Sequence, residues 1–236
     1  MRNLFVSTML IFLLIDCVQG QIMSGSIKYK QTNYIEIPEN VPPQYAKEMP
    51  KSIDLYMKLT FDGTHSLYEK DDEYREEINP NDHMPRMFRR MRESAPTVFY
   101  KDIKGQKVQE LINFFGKDFL IEDALTNYKW KISAGEQKDI LGYTCMKAYY
   151  KDSTENLVVF FTPQMLVPVG PDKFGGLPGV ILEVQSAQTH IMATEVIPGS
   201  VQVKAPSKGQ KKTRAEFDKL KQEKMQERSE MWGRRM

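Results

Sequence analysis

Lys129-Trp130-Lys131-Ile132-Ser133 alternates, with apolar Trp130 and Ile132 set between polar residues. Successive side chains of an extended chain leave on opposite faces, so this stretch sends an indole and a butyl group one way and its lysines the other. A period of two is the mark of an antiparallel strand with one wet face. Outward from this point, runs rich in β-branched and aromatic residues recur along the chain. They predict strands over 26–35, 53–62, 66–70, 97–103, 108–114, 119–124, 129–133, 145–151, 157–162, 180–185 and 191–196. Turn residues separate these runs at roughly 8–12 residues, which favours a meander, sandwich or open barrel over βαβ units. The expected fold class is mainly β (α+β): a curved antiparallel sheet or unclosed barrel, with short helices and a peripheral C-terminal helix.

Three segments depart from the pattern. Residues 38–50 carry four prolines and read as a loop with at most one helical turn. Residues 80–93 read as a short helix, capped by Asn81 or Asp82, with Pro85 tolerable in its first turn. That helix is expected to lie against the inner face of the sheet. Residues 204–236 hold eleven Lys and Arg against five Asp and Glu, a net of +6. Thr213 and Glu216 have the spacing of a capping box. Phe217, Leu220, Met225, Met231 and Trp232 make no continuous apolar stripe, so the reading is a solvated helix docked through its first turn. The expected division is 1–20 signal peptide, 21–203 β-rich domain, and 204–236 basic tail, partly helical.

The first twenty residues predict export. Arg2 precedes an apolar run from Leu4 to Ile15, and Val18 and Gly20 stand three and one residues before a cut after Gly20. Asp16 ends the run too early for a membrane anchor, which needs about 20 apolar residues. Asp16 is also the wrong neighbour for lipidation at Cys17. No later segment is apolar and long enough to span a bilayer. After cleavage one thiol remains, Cys145, so no internal disulfide can form in a compartment that normally favours pairs. Cys145 sits in a strand context, Gly142-Tyr143-Thr144-Cys145-Met146, where a free cysteine is most often buried and inert. The whole chain has 33 basic and 31 acidic residues, which gives no reason to expect nucleic acid.

Hydrolase signatures are missing: there is no Gly-x-Ser-x-Gly, no His-Glu-x-x-His, and only His65, His83 and His190. The densest turn chemistry is Gly170-Pro171-Asp172-Lys173-Phe174-Gly175-Gly176-Leu177-Pro178-Gly179. Glycine-rich loops can cradle phosphate through backbone N–H groups. The nucleotide loop, however, needs Gly-Lys-Ser/Thr followed by a helix, and this loop runs into a predicted strand. Its glycines are expected to serve φ-positive backbone, while Lys173, Phe174 and Leu177 project outward as contacts. A separate cluster, His83, Met84, Met87 and Met91, sits at helical spacing, and soft ligands of this kind select Cu(I). Methionine at that spacing also fills cores, and four arginines crowd the same helix.

Gly176-Leu177-Pro178-Gly179-Val180-Ile181, preceded by Thr162-Pro163 and Gly170-Pro171, resembles the signature of the GLPGLI family of small exported Gram-negative envelope proteins. The resemblance extends to Trp130-Lys131-Ile132, to Gly142 through Ala148, and to Pro206 through Phe217. The chain departs from it with Val180 in place of Leu, and with Phe160 where the family tends to place Trp. The resemblance implies an exported β-rich protein, supplies no catalytic residues, and points to a shared job for the Gly-Leu-Pro-Gly loop.

These readings combine into an exported periplasmic or cell-surface binding or accessory module without catalysis. It is expected to hold an apolar ligand or an envelope protein partner in the sheet's concavity, with no cofactor. The candidate contact residues are Phe160, Lys173, Phe174, Gly175, Gly176, Leu177, Pro178 and Gly179. The alternative is an envelope Cu(I)-handling protein using His83, Met84, Met87 and Met91.

Overall fold

The structure, a computed structural model, describes residues 22–37, 42–47, 49–74, 97–150 and 156–233. Among them, β1 (Gly25–Tyr34), β2 (Ser52–Phe61), β3 (His65–Lys70), β4 (Val98–Asp102), β5 (Lys107–Phe114) and β6 (Lys117–Ala124) follow one another along the chain. They are joined by β7 (Trp130–Ile140), β8 (Tyr143–Tyr150), β9 (Val158–Thr162), β10 (Val180–Gln185), β11 (Thr189–Pro198) and β12 (Gln210–Thr213). All twelve belong to one open sheet in the order β12-β6-β5-β4-β3-β2-β1-β11-β10-β9-β8-β7. A single helical turn, α1 (Pro43–Ala46), interrupts the proline-rich connection before β2, and α2 (Arg214–Gly233) follows β12.

The mainly β, open character matches the reading from sequence, and two strands differ from it in instructive ways. β7 continues to Ile140 through a bulge between Ile132 and Gln137, where Gly135 takes φ +88°. Extra residues in one strand break strict alternation, which is why the pattern fades after Ser133. β12 pairs parallel with β6 over Gln210–Thr213. Its sequence, Gln-Lys-Lys-Thr, carries no apolar period, so only its place at the sheet edge makes it a strand. The sheet therefore does not end at residue 203. The other neighbouring pairs are antiparallel.

Cross-strand partners share a face, and the register puts Ile27 opposite Leu59, Tyr29 opposite Met57, and Val184 opposite Ile191. These side chains are buried together with Phe61, Tyr68, Phe161 and Ile181. What covers them is the 163–179 connection between β9 and β10. Met165, Val167, Val169, Phe174 and Leu177 from that segment all enter the same core. Each such burial contributes roughly 1.5–3 kcal/mol relative to exposure, enough to order a long connection that has no regular structure of its own. The opposite face is wet: Lys28 pairs with Glu195 at 3.1 Å, and Lys30 with Asp54 at 2.8 Å.

A smaller core joins Phe119, Ile121 and Phe217, with Ile112, Phe114 and Leu220 against it. It docks the start of α2 on the β5–β6 end of the sheet. The capping box is formed: Thr213 N donates to Glu216 Oε2 at 2.8 Å, and Glu216 N donates to Thr213 Oγ1 at 3.3 Å. Past that turn the helix is polar and Met225 is exposed. Residues 1–20 and the 80–93 segment, with His83, Met84, Met87 and Met91, lie outside the described residues. No helix among the described residues is long and apolar enough to cross a membrane.

Candidate functional site

The 163–179 segment is held from below by two strand residues. Lys101, on β4, follows the period of two onto the core face, where Ser66 and Val108 are its cross-strand partners. It is 2% exposed, and its Nζ donates to Gly170 O at 2.9 Å and to Phe174 O at 2.5 Å. Burial pushes the Lys101 ammonium down to about 7, with the nearby Asp172 carboxylate opposing the shift. Burial in turn pushes the Asp172 carboxyl up, against the attraction of Lys101 and Lys173. Trp130, from β7, donates its indole N–H to Gly175 O at 2.8 Å. Tyr128 stacks on Trp130 with centroids 5.1 Å apart and leans on Phe174 at 5.8 Å.

The segment's own backbone completes the clamp. Gly176 N donates to Pro168 O at 3.0 Å, Ile181 N to Val169 O at 3.0 Å, and Gly179 N to Leu177 O at 2.7 Å. Gly176 sits at φ +84°, a region that L side chains avoid. At Gly179 a Cβ would meet the Thr162 carbonyl oxygen at 2.1 Å, so only glycine lets β10 start beside the end of β9.

The outward projection expected of Phe174 and Leu177 is corrected: they are 6% and 2% exposed, inside the core. The reason is that the segment folds back over the sheet, so both side chains pack into the main core with Met165, Val167 and Val169. Lys173, Gly176 and Pro178 are the exposed members, and Gly175 is half-buried. Beside them lies a recess of about 190 Å³ whose lining includes Lys101, Gln106, Asn127, Lys173 and Gly176.

Phe160 does not join this group. Phe161 is fully buried in the core, and its neighbour Phe160 leaves the strand on the other side. There Lys138 Nζ lies 3.9 Å from the centre of the Phe160 ring and ion-pairs with Glu183. Glu183, 1% exposed, also receives Gln185 Nε2 at 2.6 Å and meets His190 Nε2 at 2.8 Å. Burial raises its carboxyl, but the hydrogen bonds from Lys138, His190 and Gln185 outweigh that and hold it below the usual range.

The one thiol among the described residues is not activated. Cys145 is buried, its Sγ contacts Tyr143 O at 3.3 Å, and burial with the nearby Asp139 charge pushes its thiol up to about 12. His65 meets Thr64 Oγ1 and Asp62 through the same ring nitrogen, Nδ1. No group of three or more His, Cys, Asp or Glu suited to a metal occurs among the described residues.

Sequence reasoning found the loop and missed its anchors. The signal for Lys101 was available: alternation in Val98-Phe99-Tyr100-Lys101 places the lysine on the face opposite Tyr100. Glu183 was likewise visible as the one acid inside Val180-Ile181-Leu182-Glu183-Val184. Neither partner set could be read, because each is brought in by a different strand.

No family model and no curated protein matches the chain. Similarity appears at the level of solved structures. PNGF-II in space group P21 matches with a TM-score of 0.54, and in space group C2 with 0.52, each at 15% identity over 84% of this chain. A conserved uncharacterized protein from Thermus thermophilus aligns over 82% of this chain at 6% identity with a TM-score of 0.39. The chain spans about a third of the length of the PNGF-II structures, 33% and 32%. At that identity the likeness to PNGF-II is one of fold.

Proposed function

We propose that this chain is an exported, non-catalytic binding or accessory module that recognises an envelope protein partner through the exposed rim of the 163–179 segment. The observation that carries the reading is the clamp. A buried ammonium, an indole N–H and two glycine-dependent backbone positions hold one conformation of a long connection. That conformation leaves Lys173, Gly176 and Pro178 in solvent beside a recess lined by polar and apolar residues alike, and Pro163, Gln164 and Leu166 exposed nearer the start of the segment. Long ordered loops on a rigid scaffold are where binding residues concentrate. The reading takes the open sheet as curved around this segment, in the manner of an unclosed barrel.

A protein partner is favoured over an apolar ligand on the same face. Met165, Val167, Val169, Phe174 and Leu177 already occupy the space such a ligand would need.

The test is capture from the envelope with the mature chain as bait, followed by mass spectrometry, on wild type and two variants. Lys173→Ala removes an exposed side chain, so it should leave the melting temperature unchanged and lose the partner. Leu177→Ala empties a core position and should cost about 2–5 kcal/mol, while its remaining folded fraction captures the partner normally. Undiminished capture by Lys173→Ala, or a captured apolar small molecule with no protein, would overturn the reading.

A further inference from the structure

The β5–β6 hairpin turns on two residues, Phe115 and Gly116, because Phe114 pairs directly with Lys117. Their φ angles are +51° and +75°. Both central residues in the left-handed region define the turn that favours Asn-Gly or Asp-Gly. A bulky residue there is an outlier, and strain of this sort is retained where something selects for it. The phenyl ring that the strain delivers is 56% exposed, the most exposed large apolar side chain among the described residues. It meets Phe114 edge-on with ring centroids 4.6 Å apart and lines the groove behind it.

Behind the ring lies a groove of about 310 Å³ between the hairpin and α2. Its floor is Phe114, Phe119 and Leu220; its rim is Lys117, Lys212 and Lys224. No acidic residue lines it, and of the three lysines Lys224 is ion-paired with Glu227 at 2.7 Å just outside the groove. Asp118, adjacent in sequence, is hydrogen-bonded to Asn113 at 2.7 Å and belongs to the other side of the hairpin. On this side of the groove β12 carries Lys211 and Lys212 with no acidic residue, while α2 is balanced, five Lys and Arg against five Asp and Glu.

We propose that this end of the sheet docks on an anionic phospholipid bilayer, with Phe115 inserted at the level of the acyl boundary and Lys117, Lys212 and Lys224 against the headgroup phosphates. An exposed ring with apolar floor behind it and lysines around it is the arrangement that interfacial binding requires. An acidic protein would satisfy the lysines and leave the strained ring without purpose. This attachment uses different residues from the partner surface on the 163–179 segment.

The test is co-sedimentation of the mature chain with vesicles of phosphatidylcholine alone and with phosphatidylglycerol added. Binding is expected only with phosphatidylglycerol, and salt should weaken it. Phe115→Asn gives the turn a residue that tolerates this backbone, so the melting temperature should rise while partition falls about tenfold. Reversing one lysine, Lys117→Glu or Lys212→Glu, should cost about fivefold or more. A lower melting temperature for Phe115→Asn would mean that the ring is there to pack on Phe114, and would overturn the proposal. So would equal binding to both vesicles, or a dimer in sedimentation that Phe115→Asn abolishes.

Discussion

Replacing Gly179 by Ala should be far more damaging than replacing Gly176, although Gly176 has the more plainly left-handed backbone. At Gly176 an added Cβ finds nothing within 4 Å, so the only cost is its φ of +84°. That cost is about 1–2 kcal/mol, or roughly 2–8 °C in melting temperature for a chain of this size. At Gly179 the same methyl meets Thr162 O at 2.1 Å, Thr162 C at 2.7 Å and Pro163 N at 3.1 Å. All three are backbone atoms, and none can rotate aside. Relief requires the end of β9 to part from the start of β10, where Thr162 and Val180 are register partners. Overpacking of this sort costs about 1–3 kcal/mol, and a lost ladder hydrogen bond adds about 1 kcal/mol. The sum, roughly 2–4 kcal/mol, stands on top of unfavourable backbone geometry. Urea unfolding of the two variants beside wild type measures the difference directly. Equal destabilisation, or a milder effect at Gly179, would refute the claim that close approach between β9 and β10 dictates this glycine.

Two further outcomes follow from the titrating groups. Cys145, with its thiol pushed up to about 12, should react slowly with a thiol reagent at neutral pH in the native state and fast in denaturant; rapid native labelling would show an accessible, activated thiolate. Lys101 has a folded value of about 7 against an unfolded value near 10.4, so between these the unfolded chain binds more protons. Its contribution is then constant below pH ~7 and grows more favourable as pH rises toward ~10, with a slope of at most about 1.4 kcal/mol per pH unit. The stability difference between wild type and Lys101→Met should therefore increase from pH ~7 to ~10, and a difference that is flat or falls over that window would show that the amine is not desolvated.

The strands were legible because their chemistry is local. Trp130 with Ile132, and Ile181 through Val184, declare extended structure without reference to anything distant. The rest depends on where other strands go. Gln210–Thr213 is a strand only because β6 offers it an edge, and Leu177 is buried only because the 163–179 segment folds back over the sheet. In sequence a leucine between glycines and prolines looks like a solvent-facing tip; in the fold it is the plug. The same limit hid Lys101. Its alternation placed it on the core face, but its partners, Gly170 O and Phe174 O, lie about 70 residues away in the chain. Phe115 was passed over for the opposite reason: it lies just past a strand end, and only its backbone angle shows that the turn is an odd place for it.

With a single thiol beyond residue 20, the chain must order a long connection without a covalent staple, and the clamp shows how it does so. A disulfide would have fixed the segment at one point. Here the core side chains fix its height over the sheet, while Lys101 and Trp130 fix three of its carbonyls in direction. An ammonium can satisfy two buried carbonyls that a hydrocarbon would leave without donors, and unmatched buried acceptors cost about 1–3 kcal/mol each. The penalty is a buried charge, and Asp172, from the same segment, lies close enough to moderate it. Because Asp172 and both carbonyls belong to the loop and Lys101 to the sheet, every one of these interactions is lost together if the loop lifts. The segment should therefore open as a unit or not at all, so its exposed rim is presented in one shape.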